Sequence, residues 1–152
     1  QGTTFSIYLP AHKSAPEKLS ETAPAQICES AFGTILLVED EEQILEITSI
    51  MLKRLGYAVL SAHSPSQAMT LARAHASRIH LLITDVIMPE MNGRTLADRI
   101  RRFCPHSKCL FMSGYTADAI AHHGVLEKEV EFIQKPFTMK DLAEKLENIF
   151  AK

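Results

Sequence analysis

What this chain has little of narrows its class. Its 152 residues hold only three cysteines, Cys28, Cys104 and Cys109, an odd number at irregular spacing. That argues against a disulfide framework and fits a reducing compartment. No apolar run approaches the ~20 residues a membrane span needs, so the chain is expected to be cytoplasmic and to make no membrane contact itself. No secretory signal is visible, and an opening Gln1 in place of Met leads us to expect a piece of something longer. A net charge of -2 and a pI near 6.4 supply no basic field for nucleic acid. The basic stretch Arg99, Arg101, Arg102 with Lys108 reads as a solvated helix end. Cys104, His106 and Cys109 offer soft metal ligands, but Cys109 opens an apolar strand and is better explained as a small buried hydrophobe. His122 and His123 read as another polar helix end, and there is no internal repeat.

An apolar content of 46% is enough to build a core for one domain with a tail. From Ala11 to Phe32 the composition shifts to Ala, Ser, Pro, Glu and Lys, with prolines at 10, 16 and 24 at or near this stretch, which predicts a linker. After Gly33 short apolar runs alternate with amphipathic stretches. The runs predict strands at Thr34 to Val38, Ala58 to Ala62, Leu81 to Thr84, Cys109 to Met112 and Glu131 to Gln134. Helical spacing joins Ile44, Ile47, Met51 and Leu55, then Leu96, Ile100 and Phe103, then Met139, Leu142, Leu146 and Ile149. Ser64, Pro65 and Gln67 read as a capping box with proline in the first turn, and Gly56 as a helix stop. Five strands alternating with five helices predict an α/β fold, a doubly wound parallel sheet.

In such a sheet the carboxyl ends of the strands line one crevice. Three of the predicted ends carry chemistry: the acidic cluster Glu39, Asp40, Glu41, Glu42 after the first strand, Asp85 after the third, and Lys135 after the fifth. Crowded carboxylates repel by roughly 1 kcal/mol per pair at 4 Å in water, a penalty that a divalent cation removes. Magnesium takes hard oxygen ligands and keeps several waters, so one or two carboxylates and a phosphoryl oxygen suffice. Two acids, a third carboxylate and a lysine therefore predict a metal-assisted phosphoryl site, with Glu41 and Glu42 read as acids favouring a helix N-terminus.

Residues Thr34 to Lys152 resemble a receiver domain of a two-component response regulator. The resemblance rests on the acidic pair, the Asp85 turn with Pro89 and Gly93, Ser113, and the Lys135-Pro136 pair, all in the right order at strand ends. It implies a flavodoxin-like fold with strand order 2-1-3-4-5 over residues 33-152. It also implies that Asp85 is the nucleophile, that Asp40 and Asp85 bind Mg²⁺ with the backbone carbonyl of Ile87, and that Glu39 acts through water. Lys135 and Ser113 would each meet a phosphoryl oxygen, and Ser113 with Phe132 would form a switch. Ile87 and Tyr115 would border the path of the hydrolytic water, one apolar and one bulky, which implies a long-lived acyl phosphate. A cis bond between Lys135 and Pro136 is a further expectation.

The first ten residues, Gln1 to Pro10, resemble the last glycine box and final strand of the ATP-binding domain of sensor histidine kinases. That order implies a hybrid histidine kinase, of which residues 1-10 would be a kinase remnant and 11-32 the linker, without an ATP site of their own. Phosphate would then come from the phosphohistidine of the kinase, in the same chain, and pass to a histidine phosphotransfer protein. A pseudo-receiver that binds partners without phosphorylation is the alternative, disfavoured by the intact Asp40, Asp85, Ser113 and Lys135 set. A hydrolase using Ser113 is discarded, because Phe111, Met112, Ser113, Gly114 lack the preceding glycine of a nucleophile elbow.

Overall fold

The computed structural model describes residue 3, residues 33–114 and residues 130–151. The expected kinase-like strand and linker, Cys28, Tyr115, His122, His123 and the helix expected between the fourth and fifth strands lie outside these residues. The described elements are β1 (Thr34–Val38), α1 (Glu42–Arg54), β2 (Ala58–Ala62), α2 (Pro65–Ala74), β3 (Ile79–Asp85), α3 (Gly93–Arg101), β4 (Lys108–Ser113), β5 (Phe132–Gln134) and α4 (Met139–Ala151). The strands form one parallel sheet in the order β2-β1-β3-β4-β5, as expected.

Successive side chains of a strand point to opposite faces, and a parallel sheet is covered on both. Each central strand therefore feeds two cores. Leu36 and Val38 of β1, Leu82 of β3 and Phe111 of β4 pack with Ala68 and Ala72 of α2 and Leu96 and Ile100 of α3. Ile35 and Leu37, Leu81 and Ile83, and Leu110 and Met112 pack on the other side with Leu52 of α1 and Leu142, Leu146 and Ile149 of α4. Because β1 is buried over its whole length, the polar end that follows it is forced to the rim of the sheet.

Helix ends follow local chemistry. Gly56 takes a φ of 91° after α1, its amide bonds Lys53 O at 3.0 Å, and the Tyr57 amide reaches Leu52 O at 3.1 Å. These two bonds make the Schellman closure, so the expected stop is present. Gly56→Ala should destabilise the domain by about 1–2 kcal/mol, the cost of a side chain in the left-handed region, read as a lower midpoint in urea at unchanged slope. At α2 the Ser64 side chain accepts from the Gln67 amide at 3.2 Å. The Gln67 side chain returns to the amide of His63 and not to that of Ser64, at 2.9 Å, so the capping box is displaced by one residue.

Several expectations need correction. β3 begins at Ile79, earlier than Leu81, because a bulge at His80 breaks the alternation. His80 is exposed, and its Nδ1 accepts from the Thr34 amide at 3.1 Å. The buried stripe of α1 is not the isoleucine row. Thr48, Ser49 and Leu52 face the sheet, with Ser61 Oγ donating to Ser49 Oγ at 3.4 Å, while Ile47 is 55% exposed. Small hydroxyl residues let the helix sit close, which turns Ile44 and Ile47 outward. Phe103 lies beyond the end of α3, exposed, with the Arg73 guanidinium 5.1 Å from its ring centre. Met139, at the first residue of α4, is likewise exposed. β4 and β5 differ from expectation by a residue at their ends: β4 runs from Lys108 to Ser113, and β5 starts at Phe132.

Cys104 is buried, with its Sγ 3.8 Å from Ala72 O. Cys109 keeps part of its surface exposed, yet burial pushes its thiol up to about 12, which makes it a poor nucleophile and metal ligand at neutral pH.

Candidate functional site

Four strand ends converge on one crevice, lined by Glu39, Asp40, Glu41, Asp85, Ile87, Ser113, Gly114 and Lys135. Each lining residue arrives for a local reason. Glu39 follows β1, where its amide extends the pairing with β2 by bonding Ala62 O at 3.1 Å. Asp85 closes β3, and its neighbour Val86 still bonds Met112 O at 3.0 Å, so the carboxylate stands at the rim of a sheet that continues beneath it. Lys135 follows β5, its amide bonded to Ser113 O at 2.7 Å, and the bond to Pro136 is cis, as expected.

The turn after Asp85 is built by close contact. Gly93 opens α3 with its amide on Val86 O at 2.9 Å, and Asn92 caps the helix by accepting from the Thr95 amide at 2.8 Å. A side chain at Gly93 would lie 2.1 Å from the Asp85 carbonyl oxygen, so only glycine allows the helix to approach the phosphoacceptor candidate this closely. Glu90 takes a φ of 70° in the same turn.

Charges meet at Lys135. Its Nζ donates to Asp85 Oδ2 at 2.7 Å and to Glu39 Oε2 at 2.5 Å. The other oxygen of Asp85, Oδ1, accepts from the Ile87 amide at 3.2 Å. Glu39 is 1% exposed, whereas Asp40 stands in solvent at the mouth. Burial raises the Glu39 carboxyl above the usual carboxylate range, and the bond from Lys135 only partly offsets it. Burial also works against the Lys135 ammonium, but its hydrogen bonds to Asp85 and Glu39 outweigh that and raise its pKa. The pair is thus asymmetric: the ammonium is secured, and the buried carboxylate remains costly.

One oxygen from each of Glu39, Asp40 and Asp85 lies within 4.8 Å of the others, a spacing suited to a hard cation; it is the one such cluster among the described residues. Of the site residues expected from sequence, Glu39, Asp40, Asp85, Ile87, Ser113 and Lys135 are brought together at the crevice; Phe132 does not line it, and Tyr115 lies outside the described residues. Ser113 ends β4, buried at the crevice wall. Phe132 is half-buried against the α2/α3 core. Ile87 is 59% exposed beside Asp85. Glu41 and Glu42 sit at the start of α1, as expected of acids favouring a helix N-terminus.

Sequence reasoning missed an apolar groove of about 450 Å³ next to the crevice, lined by Ile44, Ile47, Met51, Pro136 and Phe137 and bordered by Glu41 and Lys135. Its signal in the sequence was only the helical spacing of Ile44, Ile47 and Met51. Also missed was the capping of α4, where the Thr138 amide and hydroxyl both donate to Asp141 Oδ2 at 2.8 Å while the Asp141 amide returns to Thr138 Oγ1 at 3.2 Å. These bonds hold Asp141 below the usual carboxylate range, and the signal was present as Thr138 and Asp141 at capping-box spacing.

The response regulator receiver domain profile matches residues 35–147. Sensor kinase CckA of Brucella abortus is 34% identical over an alignment that takes in 100% of this chain and 17% of that protein. The response regulator receiver protein CpdR of the same organism is 31% identical over 76% of this chain and 94% of its own length. Among solved structures, the receiver domain of hybrid histidine kinase CckA matches with a TM-score of 0.65 and 36% identity, over 76% of this chain and 97% of that one. A chemotaxis protein CheY4 from Vibrio cholerae matches with a TM-score of 0.68 and 25% identity, over 78% and 99%. Among the described residues, no helix is long and apolar enough to cross a membrane.

Proposed function

Because the chain belongs to the response regulator receiver domain family, we propose that Asp85 is its phosphoacceptor and that the phosphoryl group comes from a phosphohistidine. The observation that carries this reading is the Lys135 ammonium, held between Asp85 and Glu39 at the ends of three strands. Phosphoryl transfer leaves a protein little to do beyond alignment and charge neutralisation, and this crevice supplies both. A carboxylate oxygen of Asp85 attacks phosphorus, the bond from phosphorus to the donor imidazole nitrogen breaks, and its electron pair leaves with the ring. Lys135, already at 2.7 Å from Asp85, pairs with one phosphoryl oxygen, and the Ser113 hydroxyl donates to another. Asp40 and Asp85, with the Ile87 carbonyl, would hold Mg²⁺, which supplies neutralisation of the remaining phosphoryl charge. Movement of Ser113 toward the phosphoryl group would alter the space beside Phe132, a packing switch between pre-existing states. Ile87, apolar and exposed beside Asp85, gives the hydrolytic water nothing to bond.

The groove beside the crevice supports a protein donor. Its apolar wall of Ile44, Ile47 and Met51 suits the apolar side of a helix that carries the histidine, set next to Lys135. The match to a sensor kinase over the whole chain supports a hybrid kinase as the parent, with residues 1-10 a kinase remnant, 11-32 a linker, and a histidine phosphotransfer protein as the next acceptor.

Phosphoramidate, a small donor with a phosphorus–nitrogen bond, should add one phosphoryl group to the chain in the presence of Mg²⁺. Asp85→Asn should add none, nor should the parent chain in excess chelator. Failure of the parent chain to be labelled by any phosphodonor would favour the pseudo-receiver.

A further inference from the structure

At the opposite pole of the sheet, where the strands begin, a second cavity of about 330 Å³ lies between the α2–β3 turn, the α3–β4 turn and the last turn of α4. That volume suits a small molecule. Its floor is apolar: Ile79 and Cys104 are buried, and Phe150 closes one side. Two donors stand in its wall. Lys108 Nζ spends one hydrogen on Ile149 O at 2.7 Å, which fixes the ammonium in place with further hydrogens to give. His80 Nδ1 accepts from the Thr34 amide at 3.1 Å, so the ring proton of the neutral imidazole sits on Nε2. That nitrogen is thereby a donor and not a metal ligand. No carboxylate lines the cavity, and the chain has no Asp or Glu from residue 47 to 84 or from 99 to 117, the stretches that supply both turns. Capping of α4 accounts for the bond from Lys108, but not for a second donor of fixed tautomer above an apolar floor.

We propose that this cavity binds a small organic monocarboxylate, its charged group taken by Lys108 and His80 and its apolar body by the floor of Ile79, Cys104 and Phe150. The charge count selects the class. The lining offers one fixed cation and no arginine fork, which balances a carboxylate but leaves a phosphate dianion half neutralised. The apolar floor asks for a hydrocarbon or aromatic body, which a bare inorganic anion lacks. Exposed Arg78, Arg101 and Arg102 flank the same two turns and add a positive field that favours approach of an anion. The site stands apart from the phosphoryl chemistry, since β3 carries His80 near its start and Asp85 at its end, roughly 17 Å away at the rise of a strand.

Benzoate is the probe, titrated into the full chain at constant ionic strength and followed by amide shifts. Saturable shifts at Ser77, His80, Ser107 and Lys108 are expected, with a Kd of about 1 mM, as befits so small a ligand. Benzamide, of the same shape without the charge, and sulfate, a charge without the apolar body, should each bind about tenfold more weakly or not at all. Lys108→Met keeps the stem and removes the charge, and should weaken benzoate about tenfold while leaving benzamide unchanged. Because that variant also loses the bond to Ile149, His80→Asn gives a second reading: its amide oxygen can still accept from Thr34, but the Nε2 donor is gone, and benzoate should weaken about threefold to tenfold. If Lys108→Met fails to fold, His80→Asn decides. Shifts that do not saturate, equal affinity for benzoate and benzamide, or undiminished benzoate affinity in the folded variants would overturn the proposal. Sulfate binding as tightly as benzoate would overturn it too, because the cavity would then select charge alone.

Discussion

Gly93→Ala is expected to cost the domain about 3 kcal/mol, lowering its melting temperature by roughly 10 °C. The added methyl would sit 2.1 Å from the Asp85 carbonyl oxygen and 3.1 Å from Thr84 Cγ2, and the first of these is backbone that no side-chain rotation can clear. Relief requires α3 to move away from β3. That strains the Gly93 amide bond to Val86 O and the cap that Asn92 places on the helix. Because the displaced carbonyl belongs to the proposed nucleophile, phosphorylation should fall along with stability. Thermal melts of the two proteins check this. A loss below about 1 kcal/mol would mean that the turn adapts and that close approach is not what glycine provides here.

Lys135→Ala is expected to be nearly as severe and to depend on pH. It removes the cation from Glu39, which is 1% exposed, and breaking a buried pair from one side costs about 3 kcal/mol when the remaining charge has no other compensation. In the parent chain burial already raises the Glu39 carboxyl, and without Lys135 it should rise further. A group with a raised folded-state pKa loses stability as pH rises through that value, because the folded form binds the proton more tightly than the unfolded one. The deficit of Lys135→Ala should therefore be full near neutral pH and shrink on acidification toward the carboxylate range, where a protonated Glu39 needs no counter-charge. Denaturant melts of both proteins across that window give the test. A deficit independent of pH would mean that Lys135 stabilises through packing alone. Phosphorylation of the variant should be lost at every pH.

The parallel sheet, the strands and the crevice were legible because apolar runs and polar strand ends obey simple periodicity, whereas the strand order was implied by the resemblance to receiver domains. β1 and β2 match expectation to the residue. What was not legible depends on contacts across the chain. His80 interrupts the alternation of β3 and takes the Thr34 amide as partner, a pairing 46 residues apart that no local pattern encodes. The isoleucine row of α1 reads as core by spacing, yet the helix buries Thr48 and Ser49, since the hydroxyl pair with Ser61 depends on which face meets β2. The candidate site shows the same division. Asp85, Asp40 and Lys135 could be picked out by type and position, but the sharing of Lys135 between Asp85 and Glu39 is a distance, and sequence carries no distances. Gly93 was visible as part of a turn, while its close approach to the Asp85 carbonyl was not.

Locating the phosphoryl group tests the central claim most directly. The chain would be phosphorylated by phosphoramidate with Mg²⁺, reduced with borohydride to convert an aspartyl phosphate to homoserine, digested and sequenced by mass spectrometry. Homoserine at position 85, and at no other acidic residue, is the predicted result. Homoserine at Asp40, label retained on a histidine or serine, or an unmodified peptide across residues 79–94 in a chain that had gained a phosphoryl group would contradict it.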